Sequence, residues 1–280
     1  MNSKKKLLNR VRLFNHELEK RARNLKSSKH SNFDEEQILR RFITELLPAD
    51  HTRTVVDLGA GDGTRWSNSF ALVDEGWTCL AVEYDSYKFS KLARAYRHYP
   101  GAFACRCRVQ PDTIAALLEA YEVKENFSVL SLDIDSYDYW MLDVLLPRFR
   151  PRLIVAEINE KIPPPIKFVV KYNPDFEMTH HFYGFSIASA AELCERHGYA
   201  LLALEYNNVF LAPLEILTST TESLTADAAY RRGYLERSDR QEKFRQNLDM
   251  EILHTLTPAE GLRFISDFYR RHTGEYDASI

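Results

Sequence analysis

The sequence predicts an α/β protein with a mostly parallel central sheet. From position 54 onward, short apolar runs alternate with amphipathic stretches of about ten to fifteen residues, the pattern of successive β-α-β units. Three glycines follow the first apolar run directly, at 59–63, as at a tight strand-to-helix turn. Two adjacent apolar runs near position 205 predict an antiparallel hairpin at one edge. We therefore expect a sheet of about seven strands with helices on both faces.

Composition argues against several classes of protein. Of the 280 residues, 45% are apolar, which is enough for a buried core and argues against a disordered chain. A net charge of −3 argues against a nucleic-acid binder. No uninterrupted apolar stretch of about 18 residues occurs, so we expect no stable insertion into a membrane. The four cysteines form no CxxC pair, which favours a cytoplasmic protein with reduced thiols.

Residues 1–50 predict a helical N-terminal extension. Ten of the first 30 residues are Lys or Arg, and apolar residues at helical spacing form a stripe over 7–25. This helix would pack on its own domain, on a second copy in a homodimer, or on an anionic partner or membrane surface; a transit peptide is a further alternative. A second helix is predicted over 34–47, with Ile38, Phe42 and Leu46 on one face and Asp34 or Asn32 as its cap.

Residues 51–213 form the predicted main domain. Its strands are predicted at 54–58, 77–84, 102–109, 127–134, 152–158, 200–206 and 208–212, and its helices at 65–75, 86–98, 111–122, 137–146 and 186–197.

Two segments interrupt or follow this pattern. Residues 159–185 contain three consecutive prolines and many aromatics, which predicts an insertion or lid facing the substrate. Its His180 and His181 would be either surface residues or contacts to the substrate. Residues 214–280 predict a helical C-terminal extension, either a subdomain or a dimer contact.

The glycine cluster predicts a ligand that approaches the backbone closely. Gly59, Gly61 and Gly63 follow the strand TVVDL, with Asp57 before the first glycine. Carboxylates here would repel a pyrophosphate, and the G-x-G-x-G spacing differs from the dinucleotide G-x-G-x-x-G. The string VVDLGAGDG resembles the first motif of class I S-adenosylmethionine-dependent methyltransferases. That resemblance implies a Rossmann-like fold and a cofactor lying over Gly59, Ala60, Gly61 and Gly63, near Asp57.

Further cofactor contacts follow from the same resemblance. Glu83 ends the second predicted strand, where a carboxylate would accept hydrogen bonds from both ribose hydroxyls, with Asp85 as the neighbouring alternative. The loop after the third strand would contact the adenine, which makes Gln110 and Asp112 candidates. Asp112 would otherwise cap the helix that begins near Thr113.

A second group of acids follows the fourth and fifth strands. Asp133 and Asp135 lie two residues apart in SLDIDSYDYW, and Glu157 and Asn159 end RLIVAEIN. Because the carboxyl ends of parallel strands share one edge, these side chains should face the glycine turn. Helix capping by Asp135 or Ser136, with Asp138 acting on the helix dipole, is the alternative.

The acid strings resemble the FkbM-like branch of the methyltransferases, over roughly residues 50–213. On that pattern Asp133, Asp135 and Asp138 take the three acid positions and Glu157 the strand-end position, although Ser136 replaces the usual glycine and two aspartates replace glutamates. The resemblance implies transfer of a methyl group to a small-molecule hydroxyl.

The chemistry needs a base, and Asp133, Asp135, Glu157 and Asn159 are the candidate catalytic residues. Asp133 is also a candidate contact to the cofactor. Alternatively, the carboxylates and Asn159 would hold Mg²⁺, which prefers oxygen ligands. The other interpretations are a nicotinamide-dependent oxidoreductase and a non-catalytic scaffold that binds the cofactor.

Overall fold

Residues 30–280 are described by a computed structural model, and the predicted basic helix at 7–25 lies outside them. The strands of the main sheet are β1 Thr54–Leu58, β2 Thr78–Glu83, β3 Ala102–Arg106, β4 Val129–Leu132, β5 Leu153–Glu157, β7 Tyr199–Glu205 and β8 Asn208–Pro213. The helices are α1 Glu35–Leu46, α2 Phe70–Asp74, α3 Ser86–Tyr96, α4 Ile114–Ala120, α5 Asp138–Leu145, α6 Ile187–His197, α7 Ala226–Tyr230, α8 Arg240–Lys243 and α9 Pro258–Phe268.

The seven strands run in the order β3-β2-β1-β4-β5-β8-β7. All neighbouring pairs are parallel except those of β8, which is antiparallel to both β5 and β7. The predicted fold is therefore confirmed: a mostly parallel seven-stranded sheet with an antiparallel hairpin at one edge. The strand order reverses between β1 and β4, and ligands of such sheets bind at this switch point, beyond the carboxyl ends of the strands.

The sheet is buried on both faces because alternate residues of each strand enter different apolar clusters. Val56 and Leu58 of β1 belong to one cluster, while Val55 belongs to the other. On the second face α1 packs through Leu39 and Phe42. The predicted helix at 34–47 is thus present, although Asp34 occupies the N-cap position without a side-chain hydrogen bond to the helix.

Two predicted element boundaries were wrong. The helix expected at 65–75 is reduced to α2, because the chain turns at Trp66, where φ is +57°, and Ser67 Oγ then accepts the N–H of Phe70 at 3.0 Å. The strand expected at 102–109 ends at Arg106. Residues 107–109 leave the sheet and line the cavity described below.

The insertion and the C-terminal segment fold against each other. Strand β6, Lys167–Val170, pairs antiparallel with β9, Tyr276–Ser279, so the C-terminal extension is not helical throughout as predicted. Phe168 and Phe182 of the insertion share an apolar cluster with Ile265 and Tyr269 of the C-terminal segment. Within residues 30–280, no helix has the length and apolar character needed to cross a bilayer.

Candidate functional site

A cavity of about 920 Å³ lies beyond the carboxyl ends of β1, β2, β4 and β5. On the sheet side its wall comes from 59–61, 82–85, 107–109, 133–137 and Glu157. The rest of the wall includes residues of the insertion together with Phe244, Gln246 and Asn247. This volume lies within the range of small-molecule sites, and the position is the switch point of the sheet.

The three clustered glycines serve different purposes. All have positive φ: +89° at Gly59, +58° at Gly61 and +80° at Gly63. A Cβ at Gly59 would lie 1.7 Å from the carbonyl oxygen of Asp133, and one at Gly63 would lie 2.5 Å from Leu92 Cδ1. A Cβ at Gly61 would meet nothing within 4 Å. Gly59 and Gly63 therefore permit close packing of the protein, whereas Gly61 presents bare backbone to open space in the cavity wall.

Glu83 joins the end of β2 to the glycine turn. Its Oε2 accepts the N–H of Gly61 at 2.9 Å and its Oε1 accepts the N–H of Asp85 at 2.6 Å. The side chain is buried in the cavity wall. The neighbouring Asp85 is the N-cap residue of α3. Its Oδ1 accepts the N–H groups of Tyr87 and Lys88.

Asp57 is a buried residue of β1, two positions before the glycine turn, and is not part of the cavity wall. Its carboxylate accepts a hydrogen bond from Ser69 Oγ at 2.5 Å, and burial raises its pKa to about 6. Because Asp57 does not line the cavity, its predicted contact with the cofactor does not fit its position. Its carboxylate instead holds Ser69, the N-cap residue of α2.

The loop after β3 contributes other residues than those predicted. Asp112 is exposed and does not line the cavity, and Gln110 Nε2 donates to Tyr172 Oη at 3.3 Å. Asp112 does not cap α4 either, because Thr113 occupies the N-cap position. The cavity wall is formed instead by Cys107, Arg108 and Val109.

The structure brings three carboxylates together at the ends of β4 and β5, as the strand-end argument predicts. One oxygen each from Asp133, Asp135 and Glu157 lie within 4.8 Å of one another. Glu157 Oε1 also accepts the N–H of Asn207 Nδ2 at 2.7 Å, which fixes the carboxyl orientation. We call Asp133, Asp135 and Glu157 the acid cluster.

Desolvation and like charge raise the pKa of two members of the acid cluster, Asp133 and Glu157, although Asp135 beside them is exposed. Burial, followed by the charges of Asp135 and Asp138, raises the pKa of Asp133 to about 8. Burial, followed by the charge of Asp133, raises the pKa of Glu157 well above its usual range. The acid cluster therefore holds at least one proton near pH 7.

Asp138 has a structural role beside the cluster. Its oxygens accept the N–H groups of Ile134 at 2.9 Å and Ser136 at 3.0 Å, on either side of Asp135. Asp135 has a φ of +57°, a conformation that non-glycine residues rarely adopt. Asp138 thus holds the backbone that places Asp135 in the cavity wall. The capping alternative is wrong for Asp135 and Ser136, because Tyr137 occupies the N-cap position of α5 and no side chain caps the helix, whereas Asp138 does lie in its first turn.

Asn159 does not join the acid cluster, contrary to the prediction. Its side chain is fully buried, and its Nδ2 donates to the carbonyl oxygens of His181 at 2.9 Å and Tyr183 at 3.0 Å. These bonds fasten the insertion to the end of β5. The strand-end argument fails for Asn159 because β5 ends at Glu157, two residues earlier.

The two histidines of the insertion reach the cavity with different exposure. His180 is 65% exposed, whereas His181 is 4% exposed and its Nε2 lies 2.9 Å from Asp249 Oδ1. Both line the cavity. Burial, followed by the charge of Lys161, lowers the pKa of His181.

Comparison with known proteins gives similarity of fold. No family model matches the chain, and no curated protein matches it. Among solved structures, a glycopeptide N-methyltransferase, MtfA, complexed with S-adenosylmethionine is 14% identical, with 63% of this chain and 85% of that chain covered and a TM-score of 0.37. A SAM-dependent methyltransferase from Aquifex aeolicus is 13% identical over 66% of this chain and 90% of that chain, with a TM-score of 0.39.

A third solved structure, the N-terminal domain of EvdMO1 with SAH bound, is 14% identical over 71% of this chain and 96% of that chain, with a TM-score of 0.41. At these identities the similarity concerns the fold alone. The FkbM-like branch stays a prediction from the acid strings.

The sequence analysis missed a group of buried polar side chains in the cavity wall, which includes Glu160, Lys161 and Asn247. Lys161 Nζ lies 3.2 Å from Glu160 Oε1 and donates to Tyr183 Oη at 2.8 Å. Asn247 Nδ2 donates to Glu160 Oε1 at 2.5 Å. The charged pair directly after Asn159 was the available signal, since buried charges occur in pairs; no local pattern marks Asn247.

Proposed function

We propose that the chain is an S-adenosylmethionine-dependent methyltransferase whose acceptor is a hydroxyl group of a small molecule. The observation that carries this proposal is one cavity with the bare backbone of Gly61 and the carboxylate of Glu83 on one side and the acid cluster on another. The predicted cofactor contacts of Gly59, Ala60, Gly61 and Glu83, and the predicted catalytic roles of Asp133, Asp135 and Glu157, are retained in it.

The residues present suit this cofactor. A Cβ at Gly61 would occupy open space where a ligand would lie against the backbone. Each oxygen of Glu83 accepts one backbone N–H and has a second lone pair for a ribose hydroxyl. Carboxylates in the wall favour a cation over a pyrophosphate, which supports a sulfonium cofactor over a nicotinamide dinucleotide. When bound, S-adenosylmethionine supplies a methyl group on a positively charged sulfur.

The acid cluster is suited to remove the acceptor's proton. A carboxylate with a raised pKa binds a proton more strongly than an ordinary exposed acid, so it is the stronger general base once it is ionised. Because the pKa of Asp133 is about 8, its ionised fraction increases as pH rises from 7 toward 8. As the methyl group would leave the sulfonium sulfur for the acceptor oxygen, the hydroxyl proton would pass to a carboxylate of the acid cluster that is ionised. Asn207 holds Glu157 in place for this transfer.

A divalent cation would fulfil a related role in the same place. Three carboxylate oxygens within 4.8 Å form a hard donor set of the kind that Mg²⁺ prefers. The ion would take the place of the shared proton and offset the repulsion among the three acids. Asn159 is no part of this donor set, because its amide is bonded to the insertion.

Ligand-dependent thermal unfolding tests the cofactor class. We expect S-adenosylhomocysteine to raise the unfolding temperature, because a ligand at about 100 times its Kd stabilises the native state by about 2.7 kcal/mol. NADH at the same concentration should leave the temperature unchanged. Stabilisation by NADH alone would favour the oxidoreductase, and no response to either ligand would contradict the proposal.

A further inference from the structure

A second cluster of possible ligand atoms lies at the edge of the same cavity. His180 Nε2 lies 3.8 Å from Asp249 Oδ2, and His181 Nε2 lies 2.9 Å from Asp249 Oδ1. One ligand atom from each of the three residues lies within 4.8 Å of the others. The two imidazole rings stand nearly perpendicular, at 86°, with centroids 3.8 Å apart. Two imidazole nitrogens and one carboxylate oxygen thus lie close together.

The cluster is held by the fold on both sides. The carbonyl oxygen of His181 accepts hydrogen bonds from Asn159 Nδ2 at 2.9 Å and Tyr269 Oη at 2.8 Å. Asp249 precedes Met250, which is buried in the apolar cluster shared by the insertion and the C-terminal segment. The donors therefore come from two segments that the core fixes relative to each other, which is the preorganisation that a metal site needs.

We propose that His180, His181 and Asp249 bind a divalent transition-metal ion of the Zn²⁺ class. Zn²⁺ binds imidazole nitrogen and carboxylate oxygen at about 2.0–2.2 Å, so neighbouring ligand atoms of a tetrahedral site lie about 3.3 Å apart. The observed separations of 2.9 and 3.8 Å lie on either side of that value. Imidazole nitrogens separate this site from the acid cluster, whose oxygens suit Mg²⁺.

The position of the site suggests what the ion would do. His180 and His181 both line the cavity, and three protein ligands leave one position of a tetrahedral ion open for an oxygen or nitrogen of a bound molecule. The ion would also tie the insertion to the C-terminal segment. Lys161 is a positive charge that acts on His181, but it is already paired with Glu160 at 3.2 Å.

Zn²⁺ titration of the full chain by calorimetry, together with the visible absorption of added Co²⁺, tests the site without any assay of activity. We expect one tight Zn²⁺ per chain, and at least tenfold weaker binding in H180A and D249N. His180 is exposed, so H180A should fold normally. H197A is the matched control, because His197 Nε2 also lies 2.9 Å from a carboxylate oxygen, that of Asp143, with one imidazole only. It should keep the wild-type affinity.

Three outcomes would overturn the proposal. The first is the absence of saturable Zn²⁺ binding. The second is an equal loss of affinity in H197A and H180A, which would indicate general binding to histidines. The third is a loss in E157Q with none in H180A, which would move the ion to the acid cluster. None of these results bears on S-adenosylhomocysteine binding, so the proposed function stands or falls separately.

Discussion

Glu83 combines two tasks in one carboxylate. It accepts the N–H of Gly61 and so holds the glycine turn, and it lies in the cavity wall where the ribose of the proposed cofactor would rest. The sequence pointed to Glu83 because it ends a strand about twenty residues after the glycines. The turn-holding bond became visible only in the structure, since it joins residues 22 positions apart.

Replacing Glu83 by alanine should weaken S-adenosylhomocysteine binding by about 1.5–3 kcal/mol, the value of hydrogen bonds to a charged group. Isothermal titration calorimetry measures this loss. D62N is the control: Asp62 Oδ1 accepts the N–H groups of Thr64 and Arg65 in the same turn but lies outside the cavity wall. Wild-type affinity in E83A would remove Glu83 from the site, and an equal loss in D62N would indicate a distorted turn.

Among the elements, the glycine turn shapes the part of the cavity wall where the proposed cofactor would lie. Gly59 allows the turn to touch the end of β4, and Gly63 allows α3 to pack closely. Of the three glycines in this turn, only Gly61 has open space where its Cβ would lie. A change at this position therefore separates ligand binding from packing.

We expect G61A to weaken S-adenosylhomocysteine binding at least tenfold while lowering stability only modestly, by about 1–2 kcal/mol for a left-handed alanine. G76A is the matched control. Gly76 also has positive φ and open space around its missing Cβ, but it lies in the turn before β2. Calorimetry and urea unfolding should show similar stability losses in both variants and a binding loss in G61A alone. Equal affinities of G61A and G76A for S-adenosylhomocysteine would contradict the proposed cofactor position.

The insertion and the C-terminal segment show the limit of prediction at this scale. Prolines and aromatics predict an insertion at 159–185, and residues 214–280 are predicted to be a helical extension, in which the α-helices are α7, α8 and α9. The pairing of β6 with β9 escaped prediction, because short strands of four residues have no distinctive local pattern. Their partners lie about a hundred residues apart, and the pairing follows from the shared apolar cluster.

For the whole molecule, the acid cluster links stability to pH. Asp133 has its pKa raised to about 8, so between pH 4 and 8 the folded protein holds a proton that the unfolded chain has released. Stability must then fall as pH rises through this range. Asp57 and Asp138, with pKa values raised to about 6, contribute to the lower part of the fall, whereas Asp133 extends it to about pH 8. The pKa of Glu157 is also raised, so this residue acts in the same direction.

D133N should reduce the loss of stability between pH 6.5 and 8.5. Asparagine cannot ionise, and its amide can still donate a hydrogen bond to Glu157. At pH 8.5 the unfolding temperature of the ligand-free variant should therefore exceed the wild-type value by about 2–4 °C. A shift of this size corresponds to about 1 kcal/mol in a domain of comparable size. Scanning calorimetry at both pH values measures it. D112N removes an exposed carboxylate outside the cluster and should follow the wild type. An equal fall in the unfolding temperature of D133N and wild type between pH 6.5 and 8.5 would contradict the proposed role of Asp133 in the pH dependence of stability.

The sequence by itself determined the sheet, the glycine turn and the acids at the strand ends. These features are local: apolar periodicity sets the strands, and the carboxyl ends of parallel strands must meet at one edge. Asp133 and Glu157 could be placed together on that basis.

Only the tertiary structure decided which polar residues share the cavity. Each of three asparagine side chains donates a hydrogen bond that the sequence did not predict. Asn159 donates to the carbonyl oxygen of Tyr183, Asn207 to Glu157, and Asn247 to Glu160, which lies 87 positions earlier. Such contacts depend on how the insertion and the C-terminal segment pack over the sheet. Burying a polar side chain requires a partner, and the partner is chosen by the geometry of the assembled core, which no local pattern of residues encodes.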